Sequence, residues 1–250
     1  MTSTQVDSIS PVARTWKHAW WEFKLNIRHG EQLLLLVIIP MVVLITLTQT
    51  SVIGGEKWDL VRALSASLSI STLAAGFTSL AISTAFERRS GTLLAMGTTP
   101  LTRIELVVGK GLSIFFLTLV STAVLSITSI ILGWRPSPIA LLVLPIILLG
   151  ILSVSGVAFL LAGTCRAELV LALANGIFVM AMIFGGIIFQ YGEPMRILVD
   201  LFPPSAIYSL LSYAFAPSEL IEGSVFAPLI VLVIWAVAGN FIAARFFRWR

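Results

Sequence analysis

The sequence is poor in the residues that most redox, metal and hydrolytic sites require. It has one cysteine, Cys165, and two histidines, His18 and His29, among 250 residues. A single cysteine excludes an intramolecular disulfide, and so few histidines and cysteines argue against a metal cluster. Charged residues make up 11% of the chain, whereas a typical soluble domain has about 25%. A chain with so little polar surface requires lipid as its solvent.

The sequence also lacks the motifs of nucleotide hydrolysis and of membrane catalysis. A phosphate-binding loop needs a glycine five residues before its Gly-Lys pair and a serine or threonine after that pair. Gly109-Lys110 fails on both counts, since Ile104 and Gly111 occupy those positions. The apolar runs contain no histidine, no Gly-x-Ser-x-Gly motif and no aspartate pair. We therefore expect a chain that is not an enzyme and binds no cofactor.

Long runs without charge are the main feature that is present. A helix needs about 20 apolar residues to cross the hydrocarbon core of a bilayer. We predict an all-α membrane protein, with residues 1–250 forming a single transmembrane domain of six spanning helices. The predicted spans are residues 32–55, 63–86, 108–134, 138–165, 169–190 and 223–246.

A seventh apolar run, residues 201–218, has a different character. Pro203, Pro204 and Pro217 bound it and leave a helix too short to cross the membrane. We predict a re-entrant or outer segment before the last span, since irregular backbone at membrane depth must be covered by protein. A seventh span is the alternative.

The distribution of lysine and arginine predicts the orientation. With six spans, the side without the termini receives only Lys57, Arg62, Arg135 and Arg196, and the other side receives all remaining lysines and arginines. Loops rich in these cations face the cytoplasm. We therefore predict that both termini are cytoplasmic, in a multi-pass protein of a prokaryotic inner (plasma) membrane.

Residues 11–30 have the pattern of an amphipathic helix that precedes the first span. Ser10 can cap its first amides, and Pro11 suits the first helical position. An apolar stripe and interleaved cations follow, with Trp16, Trp20, Phe23, Arg14 and Lys17 as the predicted interfacial anchors. Aromatic rings and cations favour the headgroup level of anionic lipid. The pattern predicts either an elbow helix along the cytoplasmic leaflet or an anchor that only fixes topology. We interpret His18 as an interfacial polar residue.

The loop between the second and third predicted spans, residues 87–105, carries strong local signals. Ser90 can begin a short helix through Leu93 and Met96, and Thr99-Pro100 forces an extended turn. Thr102 and Glu105 form a capping box at the start of the next helix. The apolar side chains Leu93, Leu94 and Met96 would form a ridge beside charges of both signs. The loop is either an element that inserts into a partner or an ordinary, well-capped cytoplasmic loop.

This loop resembles that of type-2 ATP-binding-cassette exporter permeases, a family of drug, polysaccharide and lipid exporters. The resemblance rests on Glu-Arg-Arg-Ser-Gly-Thr-Leu at 87–93, Thr-Pro-Leu-Thr at 99–102, Glu105 and Gly109-Lys110. It extends to the layout of elbow helix, six spans and proline-broken segment. Family members often have glutamate after Gly-Thr-Leu, where this chain has Leu94.

The resemblance implies that the loop couples the membrane subunit to a separate ATPase subunit that binds ATP and Mg²⁺. It implies that Gly91 allows close backbone approach and that Pro100 sets the angle of the turn. A second permease copy, identical or related, would complete the transporter, with no role for nucleic acid. The implied coupling residues are Glu87, Arg88, Arg89, Gly91, Thr92, Leu93, Thr99, Pro100, Thr102 and Glu105.

The cargo and the transport class are less constrained by the residues. Apolar spans suit a hydrophobic or amphipathic substrate, such as a drug or a lipid, and a haem-exporting permease is the alternative within the family. The six charge-free runs argue against a proton-coupled carrier, which needs intramembrane ionisable residues. They leave open sodium sites built from carbonyls, and also a passive assembly protein. Glycines such as Gly156 and Gly176 favour close helix approach, which we assign to packing within the subunit.

Overall fold

The computed structural model describes residues 10–28, 30, 34–51, 57–96, 102–189, 191–216 and 225–246. Every regular element in these ranges is helical. A π-helical turn, Leu34–Ile38, precedes α2, and a 3₁₀ turn, Pro138–Leu142, precedes α6. The helices are α1 Pro11–Arg28, α2 Ile39–Gln49, α3 Leu60–Arg89, α4 Thr92–Met96, α5 Arg103–Ile131, α6 Val143–Thr164, α7 Ala167–Phe184, α8 Met195–Val199, α9 Pro203–Phe215 and α10 Phe226–Phe246.

Five of the six predicted spans correspond to helices long and apolar enough to cross a membrane. They are Leu60–Arg89, Glu105–Ile131, Pro138–Thr164, Ala167–Phe184 and Phe226–Phe246. The predicted first span, 32–55, contains the shorter apolar helix Leu36–Gln49, and residues 31–33 and 52–56 lie outside the described part of the chain. The all-helical membrane fold is therefore confirmed, while the count of six stays a prediction.

The proline-bounded segment forms the short helix α9. Its 13 residues span about 20 Å, less than the hydrocarbon core of about 30 Å. Prolines at its first two positions need no intrahelical amide partner. Ten of its residues are buried, including Ile207 and Leu211. A helix of this length, covered by the rest of the protein, fits the predicted re-entrant segment.

Helix α3 lies at the centre of the bundle, and 83% of its most apolar window is buried. Small residues such as Ser65, Ala66 and Ser69 along it allow neighbouring helices to approach closely. The hydroxyls of Ser65 and Ser69 donate to carbonyls one turn earlier, so these buried polar groups are satisfied within the helix. These two hydroxyls therefore need no partner from a neighbouring helix.

A buried hydroxyl pair joins α3 to α5 and to the π-helical turn before α2. The Ser71 and Ser121 hydroxyls both donate to the carbonyl of Leu36, and their oxygens lie 2.9 Å apart. A π-helical turn displaces carbonyls from the α-helical ladder. The two serines therefore satisfy a carbonyl at the centre of the bundle.

Helices α6 and α10 cross at a pair of glycines. A Cβ at Gly156 would lie 2.2 Å from the carbonyl carbon of Gly239, so only glycine permits this distance between the backbones. Asn240 donates to the Leu152 carbonyl at 2.8 Å, which adds a polar bond across the same crossing. The predicted close approach at Gly156 is confirmed. At Gly176, on α7, a Cβ would have no atom within 4 Å, so that glycine makes no such approach.

We expect Gly156→Ala to destabilise the protein and Gly176→Ala to leave it as stable or slightly more stable. The first change forces two backbones apart, at a typical cost of about 1–3 kcal/mol for overpacking. The second replaces glycine by a better helix former in open space. Thermal unfolding of each variant in the same detergent measures the difference, and equal melting temperatures would contradict the crossing.

Candidate functional site

A buried lysine joins three helices at the end of the bundle where α3 stops and α5 starts. The Lys110 ammonium on α5 lies 2.6 Å from an oxygen of Glu87 on α3 and 3.2 Å from an oxygen of Glu22 on α1. Its side chain is 3% exposed. Breaking a buried ion pair leaves an uncompensated charge and typically costs about 3–5 kcal/mol. One cation therefore holds the three helices together at this end of the bundle.

Gly109 makes this arrangement possible. A Cβ at Gly109 would lie 2.4 Å from Cδ2 of His18, so the imidazole of α1 lies directly over the α5 backbone. The Gly-Lys pair thus has two structural roles: the glycine admits α1, and Lys110 then bonds to it. The sequence interpretation of His18 as an interfacial polar residue was wrong, because its side chain is 9% exposed and faces α5 and Glu22.

A second ionic contact joins α1 to the beginning of α5. Arg14 bonds to a carboxylate oxygen of Glu105 at 2.8 Å. The other Glu105 oxygen accepts the Thr102 amide at 2.7 Å, and the Thr102 hydroxyl accepts the Glu105 amide at 3.2 Å. The predicted capping box is confirmed. Glu105 therefore both caps α5 and attaches α1 to it.

A polar stripe of α1 contacts α5. Arg14, His18, Glu22 and Asn26 recur every fourth residue and meet Glu105, Gly109, Lys110 and Ser113 in the same order. The contacts advance along both helices together, so α1 runs in the same direction as the first turns of α5. The period of four in these polar residues could have indicated this contact face from the sequence. The sequence interpretation relied on the aromatic stripe of the same helix instead.

The aromatic stripe of α1 is largely exposed, although Trp16 also contacts α5, with its ring centroid 5.4 Å from that of Phe116. Val12 is 79% exposed, Trp16 54% and Trp20 45%, while Phe23 is partly buried with its ring 6.1 Å from that of Phe116. Lys17 is exposed on the same helix. An outward stripe of aromatic side chains with neighbouring cations suits a lipid headgroup region. The membrane placement of these predicted anchors stays a prediction.

Two arginines attach the end of α3 to the turn between α6 and α7. Arg88 donates to the carbonyl of Cys165, and Arg89 forms an ion pair with Glu168. Arg89 is separated from Glu168 by 79 residues along the chain. The pair is about 60% exposed on both sides, and exposed pairs contribute little stability. The pair shows that the end of α3 lies next to the α6–α7 turn.

The link from α3 to α4 depends on a glycine for its conformation. Gly91 has φ of +77°, a region that residues with a Cβ rarely occupy. No atom of the described part of the chain lies within 4 Å of a Cβ built at this position, and the expected close backbone approach to an ATPase subunit stays a prediction. Ser90 ends α3, its hydroxyl donates to the Glu87 carbonyl, and its oxygen lies 2.7 Å from that of Thr92.

Helix α4 has one anchored and one free apolar residue. Leu93 is 1% exposed and packs into the bundle, whereas Leu94 is 60% exposed. The predicted ridge of Leu93, Leu94 and Met96 is therefore smaller than expected, because Leu93 faces inward. Thr99 and Pro100 lie outside the described residues, so their part in the turn stays a prediction.

The structure thus brings most of the predicted loop residues to one end of the bundle and connects them to partners that the sequence did not reveal. Glu87 meets Lys110, the two arginines meet the α6–α7 turn, and Thr102 and Glu105 meet α1. Within the described ranges, no group of three His, Cys, Asp or Glu side chains is arranged to hold a metal ion.

Residues 14–216 match the family model of the ABC-2 type transporter. The chain belongs to this family. The match includes α1, the α3–α5 loop and α9, which are the elements that form this end of the bundle and the proline-bounded segment. No individual curated protein matches the chain. As an ABC-2 permease, the chain is a multi-pass membrane component of an ABC transporter and not itself the catalytic component.

We expect Lys110→Met to lower the free energy of unfolding of the permease by about 3 kcal/mol or more, because Glu22 and Glu87 would lose their shared cation. Lys17→Met removes an exposed lysine from the same region and is the matched control, with little expected change. The triple variant Glu22→Gln, Glu87→Gln, Lys110→Met should recover much of the loss. Thermal unfolding in detergent compares the variants, and a triple variant no more stable than the single one would contradict the ionic explanation.

Burial against α5 lowers the pKa of His18 below its ordinary value near 6.5; Glu22 opposes this and Lys110 reinforces it. The unfolded chain therefore binds more protons than the folded chain between the lowered pKa and about 6.5. The contribution of His18 to the free energy of unfolding is fully present above about pH 6.5 and falls as the pH drops toward the pKa that His18 has in the folded protein. Melting temperatures at about pH 7.5 and about pH 5.5 should differ less in His18→Gln than in the parent protein. An unchanged difference would show that the pH dependence does not come from His18.

Proposed function

We propose that the chain is the permease subunit of an ATP-driven exporter that moves a hydrophobic or amphipathic, drug- or lipid-like substrate out of the cytoplasm. The observation that carries this proposal is the attachment of the α3–α5 loop at both of its ends. At the α3 end Glu87 bonds to Lys110, and at the α5 end Glu105 bonds to Arg14. Such a loop moves together with the helices that it connects.

The ionic contacts extend any displacement of the loop to a third helix. Lys110 also holds Glu22, so α1 follows α3 and α5. Energetic coupling between distant sites is carried by packed side chains and bonded networks of this kind. A partner that presses on α4 would therefore reorient α1, α3 and α5 as a unit, and α3 extends through the centre of the bundle.

Helix α4 has the arrangement that docking requires. The buried Leu93 fixes the helix to the bundle, and Leu94 on its outer side supplies an exposed apolar contact. Since the chain has no phosphate-binding loop of its own, ATP and Mg²⁺ bind to a separate ATPase subunit. Two permease copies, identical or related, enclose the substrate path between them, and ATP-driven closure of two ATPase subunits switches that path from inward-facing to outward-facing.

The placement in the membrane follows from the charge distribution. Most lysines and arginines of the sequence belong to the side that contains the termini and the α3–α5 loop, which makes that side cytoplasmic. The exposed stripe of α1, including Trp16 and Trp20, then lies at the headgroups of the cytoplasmic leaflet as an elbow helix. A loop on this side can reach a cytoplasmic ATPase.

The docking role of α4 can be tested by replacing Leu94 with aspartate. We expect Leu94→Asp to abolish co-purification with the proposed phosphate-loop ATPase subunit, and to abolish ATP-dependent uptake of a lipophilic dye into inside-out vesicles. Leu94 is exposed in the permease alone, so the change introduces a charge only where a partner would cover it.

Leu198→Asp is the matched control, because Leu198 on α8 is 58% exposed and lies between the predicted span 169–190 and the predicted outer segment 201–218, on the side opposite the α3–α5 loop. Its ATPase binding and transport should equal those of the parent protein. Unaltered complex formation and transport in Leu94→Asp would rule out α4 as the docking helix. A complex that forms normally but transports the dye in the opposite direction would overturn the exporter assignment.

A further inference from the structure

A cationic cavity lies beside the α3–α5 loop, between the last turns of α3 and the turn that joins α6 to α7. Its volume is about 390 Å³, within the range of small-molecule sites. Arg88 and Arg89 line it from α3, Arg166 and Glu168 line it from the α6–α7 turn, and Ala85 and Gly163 lie deeper between the helices. The cavity therefore extends from the loops toward the interior of the bundle.

The charge in this cavity favours an anion. Three guanidinium groups and one carboxylate line it. Glu168 is paired with Arg89, and the Cys165 carbonyl that accepts from Arg88 carries no charge. The Arg166 side chain is exposed and pairs with no acidic side chain in the described ranges. Two positive charges are thus left without a counterion, and guanidinium groups bind phosphate oxygens with two parallel hydrogen bonds.

The backbone at the same point adds to this preference. Arg166 is the N-cap residue of the 18-residue helix α7, and its side chain makes no capping hydrogen bond. The first amides of a helix have no intrahelical acceptor and carry a partial positive charge. The start of α7 therefore directs donors toward the region where the arginines converge.

An exposed apolar stripe begins next to the cavity and follows α7. Leu169, Leu173, Ile177, Met180 and Phe184 recur at spacings of three and four and are all exposed, between 38% and 56%. The stripe is about 22 Å long, more than the thickness of about 15 Å of one leaflet of the hydrocarbon core. A soluble anion would use only the cavity, whereas a phospholipid would use the cavity and the stripe together.

We propose that the cavity binds the phosphate headgroup of an anionic phospholipid, with an acyl chain along the exposed stripe of α7. This inference goes beyond the proposed function and shares with it only the orientation, which places the cavity at the cytoplasmic leaflet, where anionic lipids are enriched. Basic pockets between spanning helices on this side bind such headgroups. The bound lipid joins the end of α3 to the α6–α7 turn and so adds to the attachments of the loop.

The test measures binding of fluorescently labelled phosphatidylglycerol and phosphatidylcholine to the delipidated permease in a neutral detergent, without any ATPase. We expect phosphatidylglycerol to bind several-fold more tightly. Arg166→Gln should weaken its binding about fivefold, as expected for one cation near an anionic lipid, and Glu168→Gln should strengthen it. The control variant Arg135→Gln removes an exposed arginine that follows the C-terminal end of α5, whereas the cavity lies at the end of the bundle where α5 starts. It should leave the affinity for phosphatidylglycerol unchanged.

The acyl-chain part of the proposal has its own variant. Leu173→Asn places an amide on the exposed stripe and should weaken phosphatidylglycerol binding, while the melting temperature stays that of the parent protein. Equal binding of the two lipids, or an unchanged affinity in Arg166→Gln, would overturn the proposal. So would displacement of the lipid by equimolar glycerol 3-phosphate, which would indicate a site for free phosphate. Because no ATPase is present, failure here leaves the docking test of α4 unaffected.

Discussion

The Lys110 ammonium, placed between the carboxylates of Glu22 and Glu87, is the contact on which the rest of this end of the protein depends. A buried ion must be closely paired to offset the loss of its hydration. That requirement fixes where α1, α3 and α5 lie relative to one another. It also explains why a glycine must precede the lysine, since any larger residue at 109 would keep α1 away.

The central position of α3 connects this contact to the rest of the bundle. Ser65 and Ser69 bond within the helix, and Ser71 bonds to a carbonyl of the π-helical turn before α2, so these three buried hydroxyls are satisfied inside the bundle. The helices α7 and α10 bury only 17% and 11% of their most apolar windows. Among the spanning helices that the structure describes, α3 is the most enclosed, and it ends at the ion cluster.

Features encoded by neighbouring residues could be predicted from the sequence. The Thr102–Glu105 box and the start of α1 at Pro11 depend only on local backbone geometry, and the structure has both. Contacts between distant segments could not be predicted in this way. Nothing near Glu168 indicates that Arg89 is its partner, and Leu93 and Leu94 differ in burial only because α4 packs on one side. The stripe from Arg14 to Asn26 was detectable as a period of four, but a polar stripe does not indicate which helix it meets.

The two faces of α1 also bear on the order in which the protein is made. Glu22 and Lys110 are separated by 88 residues, which a ribosome needs roughly 4–18 s to add at about 5–20 residues per second. During that interval α1 has no α5 to bind, and its carboxylate has no ammonium. The outward face, with Val12, Trp16 and Trp20, can hold the newborn helix on the lipid surface while its polar face stays in water. The helix is then already at the membrane surface when the later spans are inserted. The ion pair between Glu22 and Lys110 can therefore form by a short rotation of α1, without diffusion of α1 through the cytoplasm.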